Sequence, residues 1–158
     1  MVRVNVIKAL KKVPPLEEFD MSLTIGERLR LLLTETNTFI YELSKISGLA
    51  KETISSLMRD RWIPRVPTAL KLSKIFCVSP GVFLITPDSY RNNDLRIRFR
   101  NLRHLLGLKQ NEFAQLCEID PASIRDWETC TTQLSNKSRY YIEAVFSGVG
   151  AGSVKNSV

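Results

Sequence analysis

The chain of 158 residues has a single histidine, three cysteines and no apolar run near the roughly 20 residues of a membrane span. His104 falls in a helical pattern with no Cys, Asp or Glu at ligand spacing, which gives it no metal or catalytic role. Cys77, Cys117 and Cys130 are odd in number and form no CxxC, and two of them sit inside apolar helical patterns. They read as reduced, buried cysteines of a cytoplasmic protein. There is no P-loop, no GxSxG, no HExxH and no Cys/His pair with a third partner, so no enzyme, cofactor or metal site is expected. No glycine-rich phosphate cradle appears, because the only cluster of glycines is in the tail. The N-terminus is broken by Lys8, Lys11 and Lys12 and is not a secretory signal. Strand signals are almost absent, so the fold class is all-α.

What is present is positive charge. The net charge is +7 and the pI is near 9.5. Each Lys or Arg set on a phosphate releases a counterion, so a basic chain of this size favours a polyanionic partner, most often nucleic acid. Proline and polar clusters divide the chain. Residues 1–21 form an N-terminal extension ending after Pro14-Pro15. In it "VRVNVI" alternates like a strand while "VIKALKKV" could begin a helix. Met21 would itself make a start, which would leave the extension optional. Residues 22–86 form one helical unit, 87–94 a polar linker, 95–146 a second unit and 147–158 a flexible tail.

The two units repeat. Shifted by 70 residues without a gap, Leu29 falls on Phe99, Leu32 on Leu102, Glu42 on Glu112, Leu43 on Phe113, Ile54 on Ile124 and Leu57 on Trp127. Small residues also meet, Ser44 with Ala114 and Ser47 with Cys117. The register holds over about 30 positions, as in two copies of one helical unit. Each copy opens with an amphipathic helix, "TIGERLRLLLTET" at 24–36 and "LRIRFRNLRHLL" at 95–106. A second helix follows, to Ser47 or Cys117. Then comes a sharp corner, and a third helix from Lys51 or Pro121. Gly48 suits a left-handed helix end. Asp120-Pro121 is a good N-cap with proline in the first turn. Glu118 stands where the first copy has Gly48 and would be strained at positive φ.

At these residues the chain resembles the helix-turn-helix of the Cro/cI (XRE) repressor family. The stretch "LKQNEFAQLCEIDPASIRDWE" matches through Leu108, Gln110, Phe113, Ala114, Ile119, Ile124, Trp127 and Glu128. "YELSKISGLAKETISSLM" resembles a more diverged copy. "PRVPTALKLSKIFCVSPGVFL" is similar to the family's last two helices, whereas 135–146 matches a fourth helix only loosely. The resemblance implies two small lambda-repressor-like DNA-binding domains in tandem. It also implies an ion pair between Arg103 and Glu128. Seventy residues earlier those positions hold Leu33 and Met58. Both partners have become apolar together, as expected if losing one alone strands a buried charge.

By the same resemblance the solvent face of the third helix reads bases. In the first copy that face holds Lys51, Glu52, Thr53 and Ser56, with Arg59, Arg61 and Arg65 on phosphates. In the second it holds Pro121, Ala122, Ser123 and Arg125, with Gln110 at the start of the second helix on a phosphate or bracing the third. Residues 50–61 carry a net charge of +1, and residues 120–128 carry −2, which is unfavourable against phosphate. Arg96, Arg100 and Arg103 recur at i, i+4 and i+7 with Arg91 and Arg98 nearby, and read either as a phosphate track or as a solvated face.

The expectation is a sequence-specific regulator of double-stranded DNA, a repressor or autoregulator, cytoplasmic and nucleoid-associated. It is expected to act as a homodimer spanning half-sites about 34 Å apart. A tandem chain could instead place its own two units on such half-sites, the linker reaching roughly 30 Å when extended. The competing reading is a protein-interaction module, such as an antitoxin or phage inhibitor, whose second domain binds a protein while the first autoregulates. A continuous exposed patch of Phe99, Trp127 and Tyr140-Tyr141 would favour it.

Overall fold

The computed structural model describes residues 2–16, 19–129 and 133–147, with side chains from Asn5 onward. The described chain is all-α: α1 (Val2–Leu10), α2 (Ile25–Glu35), α3 (Ile40–Ser47), α4 (Lys51–Met58), α5 (Val66–Phe76), α6 (Gly81–Leu84), α7 (Pro87–Arg91), α8 (Leu95–Leu106), α9 (Gln110–Cys117), α10 (Pro121–Thr129) and α11 (Asn136–Phe146). The expectations for Cys130 and for the tail beyond Ser147 lie outside the described residues. No described helix is long and apolar enough to cross a membrane.

The 70-residue spacing extends to the helix starts. α2, α3, α4 and α5 begin at 25, 40, 51 and 66, and α8, α9, α10 and α11 begin at 95, 110, 121 and 136. The stretch 135–146, a loose match by sequence, is therefore a fourth helix in register. Leu72 and Ile142, 70 residues apart, are both fully buried. Local signals set these starts. Thr24 closes a capping box on α2, its Oγ1 accepting from Glu27 N at 3.2 Å while its own N donates to Glu27 Oε2 at 3.1 Å. Ser135 Oγ accepts from Ser138 N at 3.1 Å to cap α11.

Each set of helices closes over its own apolar cluster. Leu29, Leu43, Ile54, Leu57 and Leu72 share one with Phe83 of α6. Phe99, Leu102, Phe113, Ile124 and Ile142 share the other. The second is the more aromatic. Phe99 lies 4.9 Å from Phe113, 5.8 Å from Trp127 and 6.3 Å from Phe146, ring centre to ring centre.

Three expectations are corrected here. The N-terminal extension is packed into the fold. "VRVNVI" is helical, and α1 places fully buried Val6, with Ala9 and Leu10, in the second cluster against α8, α9 and α11. Leu16 and Met21, further along the same segment, are buried in the first cluster. Val6, Leu16 and Met21 thus tie the two clusters to one segment, because burying those side chains outweighs leaving the strand-like alternation exposed.

The linker 87–94 is not an extended tether. Pro87 starts α7 under a Thr86 cap, whose Oγ1 accepts from Ser89 N at 3.2 Å. Ser89 then holds α8, its carbonyl accepting from Asn101 Nδ2 at 2.9 Å and its hydroxyl from Arg100 Nη2 at 3.1 Å. The two clusters pack directly on each other. Leu105 of α8 is buried in the first cluster, and Ser79 Oγ donates to the Leu105 carbonyl at 3.3 Å. Gly107, at φ +69°, approaches so closely that an added Cβ would stand 2.6 Å from Leu70 and 2.9 Å from Pro80.

Finally, Cys77 is exposed at the left-handed end of α5, while Cys117 is fully buried. The apolar pattern around Cys77 belongs to the helix it terminates, and the C-cap position points its own side chain outward.

Candidate nucleic-acid interface

The first corner joins α3 to α4. Gly48 ends α3 at φ +76°, its N donating to the Ser44 carbonyl. The small residues do more than permit close approach. Ser44 Oγ donates to the Leu49 carbonyl at 2.6 Å, Ser47 Oγ donates to the Leu43 carbonyl at 2.6 Å, and Ser47 Oγ also accepts from Leu49 N at 3.1 Å. Groups that a tight turn would strand are satisfied within it. Behind the corner Gly26 lets α2 touch the end of α4. A Cβ there would lie 2.6 Å from the Met58 carbonyl oxygen and 2.7 Å from that of Leu57.

α4 anchors itself through Ile54 and Leu57, both almost fully buried, and turns Lys51 and Glu52 outward with Thr53 and Ser56 half-buried beside them. Arg59, Arg61 and Arg65 follow, all exposed. Among the described residues none of Lys51, Arg59, Arg61 and Arg65 pairs with a carboxylate. Asp60, which lowers the charge of this stretch in sequence, turns back on α2. Its Oδ1 accepts from Gly26 N at 2.7 Å and its Oδ2 from Thr24 Oγ1 at 2.6 Å.

The second corner joins α9 to α10 with the same bounds and different chemistry. Glu118 is left-handed at φ +56°, where the first copy has glycine. Cys117, in place of Ser47, offers no hydroxyl. Tyr141 of α11 instead donates its OH to the Cys117 carbonyl at 2.5 Å. Burial pushes the Cys117 thiol up to about 12, which keeps it unionised, and raises the Tyr141 hydroxyl as well. Asp120 caps α10, its Oδ1 accepting from Ala122 N at 2.8 Å.

Arg103 and Glu128 form the pair implied by the resemblance. Arg103 Nε donates to Glu128 Oε1 at 2.6 Å and Nη2 to Oε2 at 3.2 Å, with side chains 9% and 7% exposed. Arg103 Nη1 also donates to the Leu108 carbonyl at 2.8 Å. Gln110 completes the network, donating from Nε2 to Glu128 Oε2 at 2.5 Å. Its amide is thus engaged in bracing α10 rather than held out for a phosphate.

This revises the charge read from sequence. Of the acids in 120–128, Asp120 is a cap and Glu128 is neutralised inside. Arg125, Asp126 and Thr129 stand exposed on α10, with Ala122 and Ser123 half-buried. Asp120 is exposed at the cap and keeps its charge, so the outward face sets one positive charge against two negative ones, a net −1 rather than −2. Three arginines of the α8 row are engaged by neighbouring side chains. Arg96 binds Asp94, Arg100 binds Ser89 and Arg103 binds Glu128. Arg91 pairs with Asp88. His104 accepts from Arg103 Nη2 at 3.2 Å, and burial together with Arg103 and Arg100 pushes its pKa down to about 3, so it is neutral. No group of three potential metal ligands occurs among the described residues.

The aromatic patch that would favour a protein partner of the second copy does not form. Phe99 is buried, Trp127 and Tyr141 are half-buried, and Tyr140 alone is exposed. The exposed apolar residues lie mostly on the first copy: Phe39 (67% exposed), Ile46 (65%), Tyr41 and Ile63.

The sequence showed Ile40 in place of Gln110, but not the three-residue network that this exchange belongs to, nor the bonding of Arg28. Ile40 matches Gln110 at the 70-residue spacing, so Leu33, Met58 and Ile40 replace the whole Arg103–Glu128–Gln110 network. They line a groove of about 430 Å³ beside Phe39. Arg28 is fully buried and donates to the carbonyls of Val82 (3.0 Å), Ile85 (2.5 Å) and Met21 (3.0 Å), its pKa lowered to about 10 by burial. Its one signal was position, since it shares the apolar face with Ile25 and Leu32. Compared against family models, curated proteins and solved structures, the chain matches none of them.

Proposed function

We propose that the chain is a sequence-specific double-stranded DNA-binding regulator that sets α4 in the major groove. The observation that carries this reading is a group of four cations, Lys51, Arg59, Arg61 and Arg65, that pair with no carboxylate among the described residues, on and after a helix held out by a two-sided corner. Lys51, Glu52, Thr53 and Ser56 face the bases, with Lys51 able to donate to a guanine and Glu52 to accept from a cytosine. The arginines hold phosphates. α10 contributes less, through Ala122, Ser123 and Arg125, because Asp120 and Asp126 stand exposed against Arg125 alone and negative charge is unfavourable against phosphate. Two copies of the chain, each using α4, would serve successive half-sites. The direct packing of the two clusters on each other argues against two freely tethered reading heads.

The exposed apolar residues on the first copy favour a second reading, in which that copy also meets protein at Phe39 and Ile46. An anisotropy titration separates the two. The probe is DNA from upstream of the chain's own gene, run against scrambled DNA at two salt concentrations. Loss of specific binding in Lys51→Ala/Thr53→Ala but not in Ser123→Ala/Arg125→Ala is expected. No preference for any genomic duplex over scrambled DNA, even by selection from a random pool, would sink the regulator reading and leave the protein-binding one.

A further inference from the structure

A second site lies at the opposite end of the repeat, between the start of α8 and the first half of α11. It is a cleft of about 680 Å³ with a mostly polar lining, Leu95 and Leu134 being its apolar members. Arg98 and Arg139 stand on its walls, with the carboxamides of Asn93, Gln133 and Asn136 around them. Asp94 is on the wall too, but it is already bound to Arg96 at 3.1 Å. Glu143 is the remaining acid, and it pairs with neither arginine. Counting Asp94 and Arg96 as neutral together, two guanidiniums face one carboxylate.

The repeat supplies an internal control. Arg98 occupies the position of Arg28 in the first copy. Arg28 donates to three carbonyls, from Met21 and from the α6 segment. Arg98 donates to no described residue, and its Nε is buried without an acceptor. Its guanidinium is held flat by the Phe146 ring, 4.7 Å from the ring centre. The first copy thus shows what this guanidinium requires, oxygen acceptors, and the second copy holds it in place without them. Arg139 stands opposite, exposed and without a carboxylate. A planar, five-donor cation fixed by stacking is suited to a tetrahedral oxyanion, which presents several acceptors at once. The volume falls within the roughly 300–1,000 Å³ of small-molecule sites, and the predominance of polar and charged side chains over Leu95 and Leu134 calls for a polar ligand.

We propose that this cleft binds a phosphate ester, with Arg98 and Arg139 on the phosphate and Asn93, Gln133 and Asn136 on the polar remainder. The phosphate can belong to a mononucleotide-sized molecule or to a nucleic-acid backbone, and one experiment distinguishes them. The full chain, with ¹⁵N-labelled arginine, is titrated at constant ionic strength with inorganic phosphate, with AMP and with a duplex of arbitrary sequence. The Arg98 and Arg139 Nε signals are followed. Saturable shifts with AMP, with a Kd below about 1 mM, are expected, and Arg139→Gln should weaken binding about tenfold or more. Arg139 is exposed, so that variant folds whatever becomes of Arg98→Gln. If only the duplex moves these signals, and Arg139→Gln lowers the salt dependence of duplex binding, the phosphate is that of a backbone. Shifts that grow linearly and equally in wild type and Arg139→Gln, or no shift with any probe, overturn the proposal. DNA recognition by α4 does not enter this readout, so either reading can fail alone.

Discussion

Replacing Glu128 alone and replacing its whole network should have opposite consequences. Glu128→Ala leaves Arg103, 9% exposed, without its two-point carboxylate partner and Gln110 without its acceptor. Breaking a buried pair from one side costs about 3–5 kcal/mol. Arg103 keeps its bond to the Leu108 carbonyl, so the lower end, about 3 kcal/mol, is expected. The first copy shows the alternative solution, with Leu33, Ile40 and Met58 at the three positions. The triple variant Arg103→Leu/Gln110→Ile/Glu128→Met should therefore lie within about 1 kcal/mol of wild type, because no charge is left buried and apolar surface is gained. Urea unfolding followed by circular dichroism, with all single and double variants, gives the coupling energy. A triple variant destabilised by the sum of its singles would refute the argument. The two copies would then differ in the packing around the network, not in the exchange of one self-consistent solution for another.

Four further outcomes follow from the geometry. Glu118→Gly should stabilise the chain by about 0.5–1 kcal/mol, and Gly48→Ala should destabilise it by a similar amount, since an added Cβ at Gly48 meets only open space and φ is the sole penalty; equal midpoints for both variants and wild type would contradict this. Gly26→Ala should cost about 1–3 kcal/mol by driving α2 off the α4 carbonyls, read as a lower urea midpoint. Val6→Ala should cost about 2 kcal/mol, which an optional extension would not. The fourth outcome concerns pH. His104 is held neutral in the fold with its pKa depressed to about 3, while the unfolded chain protonates near 6.5. Below 6.5 the unfolded state binds the extra proton, so stability falls with pH from there down to the folded pKa, by about 1.4 kcal/mol per unit. At pH 5 the loss is about 2 kcal/mol, and His104→Gln should flatten that slope.

Much of this fold was legible before the coordinates. Helix starts at Ile25, Lys51 and Pro121, the buried faces of Leu29, Leu32, Phe99 and Leu102, and the left-handed strain at Glu118 follow from periodicity, caps and φ preference. These are local properties, set within one or two helical turns. The pairing of Arg103 with Glu128 was implied by the family resemblance, and the two apolar residues at the matching positions of the repeat agree with it, since neither partner of a buried pair can be lost alone. Tertiary structure alone decided which side chains face each other across distant segments. It sent α1 to the second cluster and Leu16 to the first, since Val6 and Leu16 are equally apolar and only packing distinguishes their destinations. It buried Glu128 against Arg103, so the charge of α10 counted from sequence is not the charge it presents. It also gave two arginines at one repeat position different surroundings: Arg28 among three carbonyls, and Arg98 stacked on Phe146 with none. A guanidinium's acceptors come from wherever the chain returns, and no local pattern encodes that return.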